Sequence, residues 1–200
     1  MRVLAGTIEM RVLAGTILLV AASLGQASAG STVSMTYGNL TINFRDPALV
    51  PKPGIEQQYV ADYRTAIASK DPLKYRALIH PASLKCLSDE AGQKLFKMMS
   101  GRALARDIPE DATIVIVPST QDQSTALGMG ALSYAPAQPE RVIAIDYDFE
   151  GAAAAGKGKG SGQTIIDMLA SDGGKYKLVL QCLTKKGSED FLARLKAKAQ

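Results

Sequence analysis

The apolar positions along the chain change period once. In Ile55 to Lys70, IEQQYVADYRTAIASK, Ile55, Tyr59, Tyr63 and Ile67 recur every fourth residue, with Val60 and Ala66 beside them. That spacing predicts an amphipathic helix. Asp71-Pro72 predicts the start of a second, short helix. Asp71 serves as its N-cap and Pro72 sits in its first turn, where a missing N–H is harmless. This helix runs through LKYRALI and stops before His80-Pro81. A third is predicted over Asp89 to Arg106, with Leu95, Met98, Met99 and Leu104 facing inward. The methionine pair there reads as adaptable core filler rather than as a cofactor site.

From Ala112 onward the period shortens to two. ATIVIV, Ala112 to Val117, predicts a buried strand, and Thr125 to Tyr134 a weaker one loosened by Gly128 and Gly130. Arg141 to Glu150, RVIAIDYDFE, alternates. Ile143, Ile145, Tyr147 and Phe149 share one face, while Asp146, Asp148 and Glu150 share the other. Gln163 to Ala170 and Lys175 to Thr184 are predicted to pair as a hairpin around Ser171-Asp172-Gly173-Gly174. Tyr176, Leu178, Leu180 and Cys182 fall on one face of its second strand. Gly187 breaks that strand, and Ser188 is expected to cap a terminal helix with the apolar stripe Phe191, Leu192 and Leu195. Ahead of the helices, Ser31 to Phe44 is rich in β-formers and predicts a strand or hairpin turning at Gly38-Asn39. Arg45 to Gly54 holds Pro47, Pro51 and Pro53 and reads as a linker.

Helices first and strands afterwards predict an α+β fold. N-terminal helices pack on one face of a curled antiparallel sheet, and a C-terminal helix is added. The division expected is 1–29 as a leader, 30–54 as strand plus linker, and 55–200 as one α+β domain.

The leader rests on composition. Met1 to Ile8 recurs unchanged as Met10 to Ile17, so Met1 and Met10 both stand as possible starts. After Arg11 comes the uncharged apolar stretch Val12 to Leu24, then the small residues Ala27-Ser28-Ala29. That is the order of a bacterial secretory signal, and it predicts a periplasmic or secreted protein without a membrane anchor after cleavage. In an oxidising compartment Cys86 and Cys182 are expected to form a disulfide, with two buried thiols as the alternative. The net charge of +4 is mild and dispersed apart from Lys185-Lys186 and from Arg194, Lys196 and Lys198, so nucleic-acid binding is not expected. With His80 as the only histidine and no ligand spacing, neither a metal nor another cofactor is expected.

The chemistry-bearing patterns are few. GAAAAGKG, Gly151 to Gly158, follows the phosphate-loop spacing as far as Lys157. Gly158 then stands where Ser or Thr must hold magnesium, and no helix start follows. The stretch reads as a loop between strands. His80 would serve as a general base or, more simply, pack a helix end. Asp146, Asp148 and Glu150 would be an ordinary solvated face. If the sheet curls, that face lines a cavity instead. Asp146 is then a perturbed acid, joined by Asp167 from the next strand, with Tyr134 and Tyr176 as hydrogen-bond donors. An acid and a phenol in an apolar pocket suffice for proton transfer.

YVADYRTAIASKDPLKYRALIHP resembles the opening of the cone-shaped cystatin-like α+β superfamily, which includes nuclear transport factor two, the ketosteroid isomerases and scytalone dehydratase. The matching pieces are a helix over Tyr59 to Lys70, the break at Asp71-Pro72, and a second helix ending in Leu78 to Pro81. DGGKYKLVLQCL is similar to the closing hairpin of that superfamily, with Tyr176 where tryptophan is common. The resemblance spans about 55–184 and implies a conical pocket between helices and sheet. It carries over no catalytic residue, and the superfamily holds enzymes and non-enzymes alike.

Three functions follow as expectations. The first is an exported, soluble, non-catalytic domain binding a small apolar ligand or a protein partner. The second is a cofactor-free lyase or isomerase, with Asp146 or Asp167 as base and His80 or Tyr176 assisting. The third is a structural subunit that pairs through its sheet face, as in a homodimer.

Overall fold

The computed structural model describes residues 34–37, 40–119, 132–148 and 162–198. The leader over 1–29, the Gly151–Gly158 loop, Phe149, Glu150 and most of the Thr125–Tyr134 strand prediction lie outside them.

Four helices form first. α1 spans Ile55–Ser69, α2 Pro72–Ala77, α3 Pro81–Cys86 and α4 Glu90–Leu104. Asp71 caps α2 by accepting from Leu73 N at 2.8 Å, and Asp89 caps α4 by accepting from Gly92 N at 2.7 Å. α3 is an addition to the sequence-based expectation. His80-Pro81 repeats the Asp71-Pro72 device, a capping side chain followed by a proline in the first turn. On α4, Leu95, Met99 and Leu104 turn inward, but Met98 is 39% exposed. The reason is helical spacing: Leu95, Met99 and Ala103 align at intervals of four, and Met98 falls beside that stripe.

The main sheet is antiparallel, in the order β3 (Thr113–Pro118), β5 (Arg141–Asp148), β6 (Gly162–Asp172), β7 (Lys175–Val179). The β6–β7 turn forms because Gly173 and Gly174 take φ of 56° and 77°, as a two-residue hairpin turn of the primed type requires. The strand predicted over Lys175 to Thr184 stops at Val179. Cys182–Leu183 (β8) leaves the main sheet to pair with Ser133–Tyr134 (β4). A final helix, α5, spans Lys185–Lys198. Thr184, not Ser188, stands at its start: its Oγ1 accepts from Gly187 N at 3.1 Å. Gly187 lies inside the first turn, where only glycine fits, since a Cβ there would fall 2.0 Å from the Leu132 carbonyl oxygen.

The sheet is covered on both faces. On one, Ile143, Ile145, Ile165, Leu169 and Leu178 pack under Tyr59, Tyr63, Ile67 and Tyr75 of the helices. On the other, Val115, Val117, Val142 and Ala144 pack under Ile42 and Phe44, which belong to or follow the hairpin of β1 (Ser34–Tyr37) and β2 (Leu40–Asn43). The fold is α+β, with its helices N-terminal and one more at the C-terminus.

Cys86, ending α3, and Cys182, on β8, form a disulfide with Cα atoms 5.9 Å apart. Ser83, one turn earlier and fully buried, bonds reciprocally with Leu180. Its Oγ donates to the carbonyl and accepts from the N–H, both at 3.0 Å. Bridge and hydroxyl together fasten the helical layer to the end of the sheet. A disulfide is compatible with an oxidising extracellular or periplasmic setting.

Candidate functional site

α1 lays Tyr59 and Tyr63 one turn apart on its sheet-facing stripe, and α2 brings Tyr75 to the same core. Below them is Asp167 of β6. It pairs with Ile143, and pairing in an antiparallel ladder puts both side chains on one face. Ile143 belongs to the helix-facing core, so a carboxylate sits among its apolar residues. Tyr63 Oη donates to Asp167 Oδ2 at 3.4 Å, and Arg106, just past α4, donates from Nη1 to Tyr63 Oη at 3.3 Å. The Tyr59 and Tyr63 rings lie 6.0 Å apart, tilted by 33°. Arg106 is held by its own neighbourhood: the Lys70 ammonium, at the end of α1, donates to the Arg106 carbonyl and pairs with Asp107.

Two details separate this cluster from ordinary core. Ile165, Leu169 and Ile143, which flank and oppose Asp167, are sealed, yet Asp167 itself is only half-buried. Asp167 thus keeps some accessible surface where its neighbours on the same face of the sheet keep almost none. In addition, the Tyr59 hydroxyl is buried and has no hydrogen-bond partner among the described residues. Such an orphan is uncommon, because leaving one unpaired costs about 1–3 kcal/mol.

Burial pushes the Asp167 carboxyl above the ordinary aspartate range, while the Arg106 charge and the Tyr63 hydrogen bond pull it back. Burial also raises the Tyr59, Tyr63 and Tyr75 phenols, and the negative charge of Asp167 raises them further. All three stay neutral donors at physiological pH. For Arg106, desolvation works against the charge, but Tyr63 and Asp167 hold the guanidinium above its usual value.

A carboxyl raised in the folded state favours folding in its protonated form. That contribution is complete below the unfolded value of about 3.9 and is lost as pH rises through the higher folded value. At neutral pH the ionised Asp167 therefore works against the fold. Asp167→Asn is expected to be more stable than the parent at pH 7, by about 1 kcal/mol, with the advantage shrinking toward pH 4. Urea midpoints of both proteins at the two pH values measure this. A less stable Asp167→Asn at pH 7 would make Asp167 a structural partner of Arg106 instead.

The other sequence-derived candidates lie elsewhere. Asp146 is fully buried on the opposite face of the sheet, where Thr164 Oγ1 donates to its Oδ1 at 2.8 Å. It pairs with Thr164 while Ile143 pairs with Asp167, so the two carboxylates are divided by the sheet and do not form one acidic site. Asp146 is sealed from solvent, and Val142 and Ala144 on the same face of β5 pack under Ile42 and Phe44. His80 caps α3, its Nδ1 accepting from Ala82 N at 3.2 Å, and its backbone N–H donates to the Leu178 carbonyl at 2.9 Å. It has no hydrogen bond to Asp167, Tyr63 or Arg106 among the described residues. Tyr176 is buried at the far end of β7, its phenol raised by burial near Arg141, Glu56 and Glu140. Tyr134 is 48% exposed on the short β4–β8 ladder. The side chain of Asp148 lies outside the described residues.

A cleft of about 450 Å³ lies between α1, α2 and the β6–β7 turn. Ala66, Leu78, Lys74, Tyr176 and Tyr59 line it. Among the described residues no group of three or more His, Cys, Asp or Glu is placed to hold a metal, and no helix is long and apolar enough to cross a membrane.

Sequence reasoning missed Tyr59, Tyr63, Tyr75 and Arg106 as site residues. A usable signal was present: phenols on a buried stripe need hydrogen-bond partners that leucines do not. No protein-family model, curated protein or solved structure matches the chain.

Proposed function

We propose that this chain is an exported, non-catalytic binding domain that holds a small, largely apolar molecule between helices and sheet, beside Asp167. The observation carrying this reading is a carboxylate set in the helix-facing core, with Asp167 half-buried among sealed neighbours. A carboxylate and a phenol buried without return would weaken the fold, and a bound molecule supplies the return. The surrounding Tyr59, Ile143, Ile165 and Leu169 suit an apolar body. The likeness to the cone-shaped superfamily agrees with a pocket between helices and sheet. Export is supported by the leader pattern over 10–29 and by the Cys86–Cys182 bridge. Pairing through a sheet face has less support, since helices cover one face and the β1–β2 hairpin the other.

Native mass spectrometry of protein from the exported fraction, beside a denatured control, tests the reading. A mass that rides on the folded protein and vanishes on denaturation is expected, and it should be diminished in Asp167→Asn. An apo spectrum from several expression hosts would count against a tightly held ligand. The denatured mass also reads cleavage after Ala29 and a deficit of about two daltons for the bridge.

A second reading, a cofactor-free lyase or isomerase, is favoured by the raised Asp167 carboxyl beside the Tyr63 phenol. Asp167 would take a proton from the bound molecule while a phenol steadies the developing charge. Incubating the eluted molecule with fresh protein and following it by proton NMR separates the two. A product that forms with the parent and not with Asp167→Asn establishes catalysis.

A further inference from the structure

β7 ends the main sheet, so its outer edge meets no strand of that sheet. The register shows which residues aim their main-chain groups at that edge. Opposite Leu178 and Tyr176, on β6, stand Leu169 and Ser171. Both turn toward β5: the Leu169 carbonyl accepts from Glu140 N at 2.8 Å, and Ser171 N donates to the Glu140 carboxylate at 3.1 Å. Leu178 turns the other way, outward, and the α2–α3 connection takes both its groups through Leu78 and His80. Tyr176 lies two residues earlier on the same strand, so its N–H and carbonyl point outward as well. Among the described residues no group on that side receives them. The cleft of about 450 Å³ runs along this stretch, with Gly174 to Lys177 in one wall and residues of α1 and α2 in the other.

We propose that this edge docks an extended acidic peptide segment of a partner protein, which pairs with the Tyr176 N–H and carbonyl and lays an apolar side chain in the cleft. The site is separate from Asp167 and goes beyond the reading above. An open N–H and an open carbonyl on one edge residue are matched by another main chain, which carries the same two groups at strand spacing. A carboxylate ligand accepts only and leaves the Tyr176 carbonyl unpaired. Ile55, Ala66 and Leu78 supply apolar wall, and Ile55 is 42% exposed. Lys74, Lys175 and Lys177 line the same cleft against a single acid, Asp62, which already accepts from Gln58 Nε2 at 2.8 Å. The Lys177 ammonium sits at the Ala77 carbonyl, 2.6 Å away. Lys74 and Lys175 enter no ion pair among the described residues. Lysines on an open edge discourage indiscriminate strand pairing, copies of this chain included. They complement an acidic strand, so the same charges select the partner.

The test titrates the full exported chain, ¹⁵N-labelled, with end-blocked pentapeptides. One alternates glutamate with valine, and a second alternates lysine with valine. Two further copies of the acidic peptide are methylated on the main-chain nitrogen, one at its glutamates and one at its valines. Octanoate serves as a small anion with an apolar body. The Tyr176 amide proton is expected to move downfield with the acidic peptide, as it gains a hydrogen bond. The acidic peptide should bind at least tenfold more tightly than the basic one. A strand pairs through alternate residues, so one methylated copy should lose about tenfold and the other should bind nearly as the parent peptide does. Lys74→Glu is expected to weaken the acidic peptide about tenfold. Because the ranking of probes is read on the parent protein, the proposal stays exposed even if that variant folds poorly. Equal binding of both methylated copies overturns main-chain pairing. A basic peptide at or above the acidic one overturns the charge assignment. Octanoate in first place overturns the proposal in favour of a small anionic amphiphile. No movement of Tyr176 with any probe overturns it as well. Native mass spectra decide the reading at Asp167, so either can fail without the other.

Discussion

Removing the Cys86–Cys182 bridge, by reduction or by the double change Cys86→Ser and Cys182→Ser, is expected to lower stability by about 4–5 kcal/mol. The bridge joins residues 96 apart in sequence, and the segment it closes carries α4 and every strand of the main sheet. In the unfolded chain such a loop is long, so cross-linking it removes much of the freedom that folding must overcome. In the folded protein the joined ends are already held side by side by the Ser83–Leu180 pair, so the covalent link adds constraint mainly to the unfolded state. Urea unfolding with and without reductant measures the difference. A loss under about 1 kcal/mol would mean that the reduced unfolded chain keeps these ends close by other means. Because Ser83 remains after reduction, the reduced protein is expected to refold to the same far-ultraviolet spectrum with a lower midpoint.

Leu178→Ala is expected to cost about 3–4 kcal/mol and to lower the melting temperature by roughly ten degrees. Leu178 is completely buried in the core shared by helices and sheet. Its backbone is a junction as well. Its N–H donates to the Leu78 carbonyl at 2.8 Å and its carbonyl accepts from His80, joining the α2–α3 connection to the edge of the sheet as a parallel bridge at Ile79. Truncation leaves a cavity at a point where neighbours on both sides are fixed by those bonds and cannot close in. Thermal and urea unfolding give the cost directly. A loss under about 1 kcal/mol would show that the helices slide down to refill the space. The contrast with Asp167→Asn is instructive, since both residues lie on the helix-facing side of the sheet. Shortening a packed leucine should weaken the fold, and neutralising a buried carboxylate should strengthen it. Opposite signs would mark Asp167 as held against the stability of the fold, as binding and catalytic groups are.

Much of the architecture was legible in local pattern. The fourfold spacing of Ile55, Tyr59, Tyr63 and Ile67 gives α1, Asp71-Pro72 starts α2, and Gly173-Gly174 turns β6 into β7. The same cap-and-proline signal at His80-Pro81 was readable and marks α3. Less legible was the end of the last long strand. Tyr176, Leu178, Leu180 and Cys182 keep an unbroken alternation, yet the chain leaves the sheet after Val179 because Leu180 is claimed by Ser83 and Cys182 by Cys86. Those partners lie almost a hundred residues away, and no local pattern reports them.

The sequence by itself determined the class of most segments and which residues share a face, because helix and strand periods are local properties of the backbone. It showed that Asp146 sits opposite Ile143 and Ile145 on one strand, and that Asp167 lies on another. Only the tertiary structure decided which faces meet. The β5–β6 register sets Ile143 against Asp167 and Asp146 against Thr164. Since side chains alternate along a strand, that parity sends one carboxylate under the tyrosines of α1 and α2 and the other to the face on which the N-terminal hairpin packs.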